Sequence, residues 1–192
     1  ELRVLTAPPD HYGNPVPGQG GDHSLAEDAA EMQFSLGWDW IQPTPDRNTG
    51  LWDRVFLETT GPVVAVDPLV QTDSISQSAH GTDREAISYS AYITVEVPLD
   101  NAADLPANVI VTFSLNGVQL ASTATVLAAG TSATVVFPQV LVPNVQLWWP
   151  HTHGIPYLYT ATVDVFVFTG AMTFTGAMSL SHHWEARIGI RT

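Results

Sequence analysis

The chain has 192 residues, 45% of them hydrophobic, enough for one full domain or one domain with part of a second, and enough to fill a core. Its 19 Asp and Glu face six basic residues, all arginine, giving a net charge of −13; phosphate binding needs clustered Lys and Arg, so nucleic acid is excluded as a partner. There is no cysteine, hence no disulfide or thiolate metal site, and no apolar run approaches the ~18 residues of a membrane span, so no membrane partner is expected.

The carboxylates are scattered rather than run together. That is the pattern of a solvated acidic face, with adaptation to a salty or acidic medium as the sharper reading. The opening ELRVLTAPPDHYG has no basic segment followed by an apolar run, so no secretion signal is visible and the compartment stays open.

Residues 7–24 crowd proline and glycine too densely for a regular element and read as a long loop. Asp10, His11, Asp22 and His23 lie in it. They could bind a metal, but nothing fixes their geometry, and a lid over a substrate cleft or a structural loop fits better. Residues 24–31, SLAEDAAE, allow a short helix with Ser24 as N-cap and Glu27 completing a capping box. Residues 51–60, LWDRVFLETT, place Leu51, Val55 and Leu57 among polar neighbours and read as a strand.

The composition changes at Gly61-Pro62. From residue 63 the pattern is all-β. Residues 63–70 form a strand broken by Pro68, which suits an edge. Residues 87–97 put Ile87, Tyr89, Ala91, Ile93, Val95 and Val97 on one face of a strand. Val109, Val111, Phe113 and Leu115 alternate next. Asn116-Gly117 then supplies a hairpin turn, because both of its central residues need positive φ. TSATVVFPQV, YLYTATVDVFVF, AMTFTGAMSL and WEARIGI supply further strands, and His182-His183 reads as a strand end. His151 and His153, beside Trp148-Trp149-Pro150, could share one face and hold an adventitious metal, but a loop packed by the two tryptophans against a neighbouring domain fits better. Short strands with regular turn signals and no convincing helix imply a β-sandwich.

One constellation in the first third carries binding chemistry. Trp38 and Trp40 offer aromatic faces of the kind that stack on the C–H face of a sugar. Asp39 between them can accept two hydroxyl hydrogen bonds. The competing reading makes both tryptophans core residues, since each buries about 150–250 Å². Asp46-Arg47-Asn48 is a turn, plain or with Arg47 clamping a carboxylate.

Three segments carry a family resemblance: LGWDWIQPTPDRNTGLWDRVFLETTGPV (36–63), VQLWWPHTHGIPYLYTATVDV (145–165) and ARIGIRT (186–192). They resemble, in order and spacing, the family 2 glycoside hydrolases, in particular the β-mannosidase and exo-β-glucosaminidase branch. The insert at 8–23 is similar to that of plant-type mannosylglycoprotein endo-β-mannosidases. Ile188 stands where the family usually has Phe, and His151-Thr152-His153 where Asn-Gly or similar is common.

The resemblance implies an immunoglobulin-like β-sandwich over 62–192, preceded over 1–61 by the C-terminal part of a jelly-roll, galactose-binding-like sugar-binding domain. It implies that Asp39 contacts the sugar, with Trp38, Trp40 and Arg47 as further substrate-binding residues. It implies no cofactor and no metal. The implied partners are the rest of the sugar-binding domain, a catalytic (β/α)₈ barrel and a β-linked glycan, with a homo-oligomer open to the isolated chain. The family's acid/base glutamate follows an asparagine, and this chain has no Asn-Glu dipeptide. No catalytic residue is therefore assigned, and the chain alone is expected to be inactive. A stand-alone carbohydrate-binding or adhesion module is the other reading. A beginning in mid-domain, with about 60 residues before Gly61, argues against it.

Overall fold

The computed structural model describes residues 3–6, 50–51, 53–79, 87–169 and 177–191. The chain divides into two compact units, Glu1–Glu58 and Thr59–Thr192. The eight strands among the described residues all belong to the second: β1 (Val63–Ala65), β2 (Leu69–Ala79), β3 (Ile87–Asn101), β4 (Ala107–Leu115), β5 (Val118–Leu127), β6 (Ser132–Val142), β7 (Tyr159–Thr169) and β8 (Ala177–Ile188). The long loop at 7–24 and the helix at 24–31 fall outside the described residues, as does the jelly-roll portion apart from a few positions.

Every pairing is antiparallel, in two sheets. In the first, β1 and β2 lie end to end along one side of β3, and β6 takes the other side. The second runs β5-β4-β7-β8. The chain crosses between sheets from β3 to β4, returns from β5 to β6 and crosses again from β6 to β7, so the pairs β3–β6 and β4–β7 interlock. That is the Greek-key arrangement of an immunoglobulin-like sandwich.

The core follows from the period of two. Ala91, Ile93, Val95, Val97 and Leu99 of β3 are fully buried, and so are Val109, Val111 and Phe113 of β4 and Ala161, Val163 and Val165 of β7. Each buried Val, Ile or Leu contributes roughly 1.5–3 kcal/mol over leaving it in water. The face expected on β3 is the buried one, and it runs on to Leu99 and Asn101. Only Ile87, at its start, stands exposed. The hairpin between β4 and β5 turns at Asn116 (φ 48°) and Gly117 (φ 79°), as its sequence requires.

Two expectations need correction. Residues 53–60 form no strand. Val55, Phe56 and Leu57 are three consecutive apolar residues, which breaks the alternation; all are exposed, and no described strand pairs with them. His182-His183 is no strand end either: β8 runs through both without a break.

The irregular positions of the sheets have local causes. Asp67 (φ 46°) and Pro68 separate β1 from β2, so both edge pieces end there, in line with the break read at Pro68. Pro98 sits in the central strand β3, and its carbonyl accepts the Val66 N–H (2.8 Å). A residue's N–H and C=O point to the same side of a strand, so the donor that proline lacks falls in the gap between β1 and β2. Thr94 lies beside two bulges: Asp73 is the extra residue on β2, and on β6 two residues, Pro138 and Gln139 (φ 51°), stand opposite the single Thr94. The Thr94 hydroxyl donates to Asp73 Oδ2 (2.7 Å) and accepts the Gln139 N–H (3.5 Å).

Three of the buried polar side chains, Asn101, Ser181 and His182, bind backbone groups. Asn101 Nδ2 donates to the carbonyls of Leu105 and Ala128 (3.0 Å each), and its Oδ1 accepts the Ala103 N–H (3.0 Å). One buried amide thereby ties the β3–β4 turn to the β5–β6 turn. At the opposite corner β8 bulges at Ser181, so that Ser181 and His182, consecutive residues, both point inward. The Val63 N–H donates to Ser181 Oγ (2.9 Å), and that hydroxyl donates to the Val63 carbonyl (2.7 Å). The Gly61 N–H reaches the Ser181 carbonyl (2.6 Å). A Cβ on Gly61 would lie 2.9 Å from Ser181 Cα, so only glycine permits this approach.

Candidate functional site

The four residues expected to bind substrate, Trp38, Asp39, Trp40 and Arg47, lie outside the described residues, as do Asp10, His11, Asp22 and His23. The described feature that gathers unusual side chains is the connection from β6 to β7, residues 143–158.

Asn144 turns the chain at φ 52°. Val145 buries its side chain, and its N–H donates to the Tyr89 carbonyl (2.8 Å). The Gln146 N–H donates to Tyr159 Oη (2.7 Å). A tyrosine at the start of this strand that bonds upstream backbone is a counterpart of the tyrosine corner of immunoglobulin-like folds. Trp148 bridges Pro156, and its N–H donates to the Ile190 carbonyl (2.9 Å). A turn at 150–154 closes the loop, with His153 and Gly154 N–H groups on the Pro150 carbonyl (2.8 and 3.1 Å).

The two tryptophans diverge. Trp148 lies on Gly189, where an added Cβ would come within 2.8 Å of Cγ, and Arg191 stacks its guanidinium 5.2 Å from the ring centroid. Trp149 lies on Gly154, where an added Cβ would meet its Cβ at 2.9 Å, and is 48% exposed. The two glycines and Arg191 were not singled out from sequence. Their signal is proximity to the two tryptophans, and in the case of Gly189 and Arg191 that proximity exists only in the fold.

Two depressions flank Trp149. One, of about 100 Å³, is lined by Leu147, Trp148, Trp149, Pro150 and Arg191. The other, of about 370 Å³, is an open groove of neutral side chains including Tyr89, Asn144 and Gln146. The first is smaller than the ~300–1,000 Å³ of ordinary ligand pockets.

These residues supply contact surface, and no acid/base pair. Retaining glycosidases hold two carboxyls about 5–5.5 Å apart. Glu96 is on β3 and Glu185 on β8, in different sheets, and both point outward, so they cannot form that pair. Among the described residues no group of three or more His, Asp and Glu is arranged to hold a metal ion. His153 is engaged by Thr152 Oγ1 (2.9 Å), and His183 by Asp164 (2.6 Å) on the outer face of the second sheet.

Tyr159 titrates abnormally. Burial raises its phenol above 10.0, the Gln146 N–H on its oxygen pulls the other way, and Tyr157, edge-on at 4.9 Å, adds to the rise. The folded state therefore holds this proton more tightly than the unfolded chain. Stability is unaffected below about pH 10 and falls as pH rises through and beyond it. Denaturant midpoints measured from about pH 8 to 11 should show that decline, and Tyr159→Phe should flatten it while lowering the baseline by about 1 kcal/mol for the lost hydrogen bond.

The architecture thus defines the class, an immunoglobulin-like sandwich domain with a tryptophan-built loop at one end. The chain belongs to the glycosyl hydrolases family 2, whose family model matches residues 82–191. It is 33% identical over 177 residues to a mannosylglycoprotein endo-β-mannosidase of Lilium longiflorum, covering 86% of this chain and 17% of that protein. An exo-β-D-glucosaminidase of Arthroderma benhamiae is 27% identical over 147 residues, 70% of this chain and 15% of its own length. By name these relatives are β-glycosidases, and the chain spans less than a fifth of either. An exo-chitosanase of Amycolatopsis orientalis, solved with PNP-β-D-glucosamine, shares the fold at a TM-score of 0.53 and 23% identity, over 77% of this chain and 15% of that one.

Proposed function

We propose that this chain is a non-catalytic segment of a family 2 glycoside hydrolase acting on β-mannosides, such as the one at the core of N-glycans. Residues 62–192 scaffold a catalytic barrel, and residues 1–61 complete a sugar-binding domain and lend the barrel a substrate loop. In that loop Asp39 accepts sugar hydroxyls, Trp38 and Trp40 present their faces to the ring, and Arg47 steadies the carboxylate. The partners are the remaining domains of the same enzyme and a β-linked glycan; the isolated chain pairs with a second copy if nothing else covers its N-terminal part.

The observation that carries the reading is the likeness to the lily endo-β-mannosidase, which takes in 86% of this chain and only 17% of the relative. The placement of Glu96 and Glu185 on opposite outer faces supports the non-catalytic part.

The test is an assay of aryl β-mannosides with the isolated chain and with a longer protein that carries a barrel after it. The isolated chain is expected to give no turnover above buffer, and the longer protein to hydrolyse the substrate. Turnover by the chain alone, abolished by substituting one of its own glutamates, would overturn the reading. A chain that binds β-linked glycan by itself, in a longer protein without glycosidase activity, would favour a binding module.

A further inference from the structure

The connection from β6 to β7 leaves a large aromatic side chain half uncovered and holds it in place. Trp149 is 48% exposed. Its N–H donates to the Ile155 carbonyl (3.1 Å), and the side chain lies on Gly154, where an added Cβ would come within 2.9 Å of it. A ring fixed in this way presents its surface without the ordering cost that a mobile side chain incurs on binding.

The open groove beside it, of about 370 Å³, falls within the ~300–1,000 Å³ of ordinary ligand sites. Leu147 and Ile155 give it apolar lining, and Tyr89, Asn144 and Gln146 bring polar groups. Asn144 and Gln146 are exposed. Among the described residues neither amide accepts or donates a side-chain hydrogen bond, and the Tyr89 hydroxyl makes none. Their backbones are set nonetheless. Asn144 turns at φ 52°, the Gln146 N–H donates to Tyr159 Oη, and the Tyr89 carbonyl accepts the Val145 N–H.

Charge narrows what such a groove can take. The chain carries −13 overall, yet among the described residues no charged side chain lines the groove. An anion would find no cation there, and a cation no carboxylate. A wholly apolar ligand would strip water from the amides and give nothing in return. A pyranose suits both halves. Its C–H face is apolar and lies on an aromatic ring, and its hydroxyls both donate and accept, as a carboxamide does.

We propose that this groove binds a neutral oligosaccharide, with one sugar ring on Trp149 and hydroxyls on the amides of Asn144 and Gln146. The site is built from the sandwich unit and does not rest on Asp39, which belongs to the unit before it.

NMR titration of the full chain with β-1,4-mannohexaose, taken to about 10 mM, tests this. The indole N–H of Trp149 and the side-chain amides of Asn144 and Gln146 should shift and saturate together, and an oligogalacturonate of the same length should move none of them. Trp149→Ala should weaken binding by about tenfold or more. Gln146→Ala, which keeps the backbone bond to Tyr159, should weaken it by about two- to tenfold. Asp39→Ala should leave the titration at Trp149 unchanged. Gly154→Ala displaces the ring without removing any group that touches the sugar, and should weaken binding too. Shifts that are absent, confined to residues 36–48, lost in Asp39→Ala or equal with oligogalacturonate overturn the proposal. So does a Trp149 signal that ignores sugar and moves only when a barrel follows the chain, which marks a protein contact. Should the variants fail to fold, the wild-type shifts with the two oligosaccharides decide.

Discussion

Asp39→Ala, introduced into an enzyme with the catalytic barrel in place, is expected to lower kcat/KM on β-mannosides by at least ~100-fold, because a charge-assisted hydrogen bond that tightens at the transition state is worth roughly 2–4 kcal/mol and each 1.36 kcal/mol is tenfold. A carboxylate between two aromatic faces can hold two hydroxyls of one pyranose. In the proposed role this would fix the ring at the position from which its glycosidic bond is cleaved. Asp39→Asn keeps the shape and one acceptor and should lose less than the alanine variant. Arg47→Ala, acting through the carboxylate, should fall between wild type and Asp39→Ala. Unchanged kinetics in a well-folded Asp39→Ala enzyme would make Asp39 a structural residue and return Trp38 and Trp40 to packing.

Asn101→Ala is expected to cost about 2–4 kcal/mol, among the larger effects available to a single side chain outside the apolar core. The Asn101 side chain is 3% exposed and makes close bonds to three backbone groups, the carbonyls of Leu105 and Ala128 and the N–H of Ala103, with the Leu127 carbonyl further off at 3.5 Å. Alanine leaves all three without their partner and opens a small void. For a chain of this size the melting midpoint should drop by roughly 5–15 °C. Thermal unfolding followed by circular dichroism measures it. A loss under about 0.5 kcal/mol would mean that water replaces the amide at no cost.

The sequence made the strands of the sandwich legible where a period of two persists. Ile93 to Val97 and Val109 to Leu115 alternate without interruption because one face meets the other sheet and the other face meets water. Asn116-Gly117 was legible because few dipeptides accept two positive φ angles in succession. The expected strand at 51–60 did not form: Val55, Phe56 and Leu57 are three apolar residues in a row, which breaks the alternation, and no described strand runs alongside them. Ser181, His182 and Asn101 were missed for the opposite reason. Polar side chains read as surface, and only the fold supplies the backbone groups that each one satisfies. The Trp148-Trp149 loop was legible as a packed loop, whereas the glycine beneath Trp148 and Arg191 above it are about 40 residues further along, beyond the reach of any local pattern.

The paired bulges at Thr94 bear on how the molecule behaves when concentrated. A sheet edge with an unbroken row of free N–H and C=O groups is a template on which another chain can add a strand and start a fibre. β2 and β6 are the two outer strands of the first sheet, and each loses its regular register beside Thr94, β6 directly opposite it through Pro138-Gln139 and β2 between the partners of Ile93 and Tyr92 through Asp73. An incoming strand could match either edge for only a few residues before the hydrogen-bonding row shifts. At β2 it would also meet the Asp73 carboxylate, and at β6 the missing donor of Pro138. The device protects against self-templating without any covering domain, and a single Thr94 hydroxyl braces both interruptions at once.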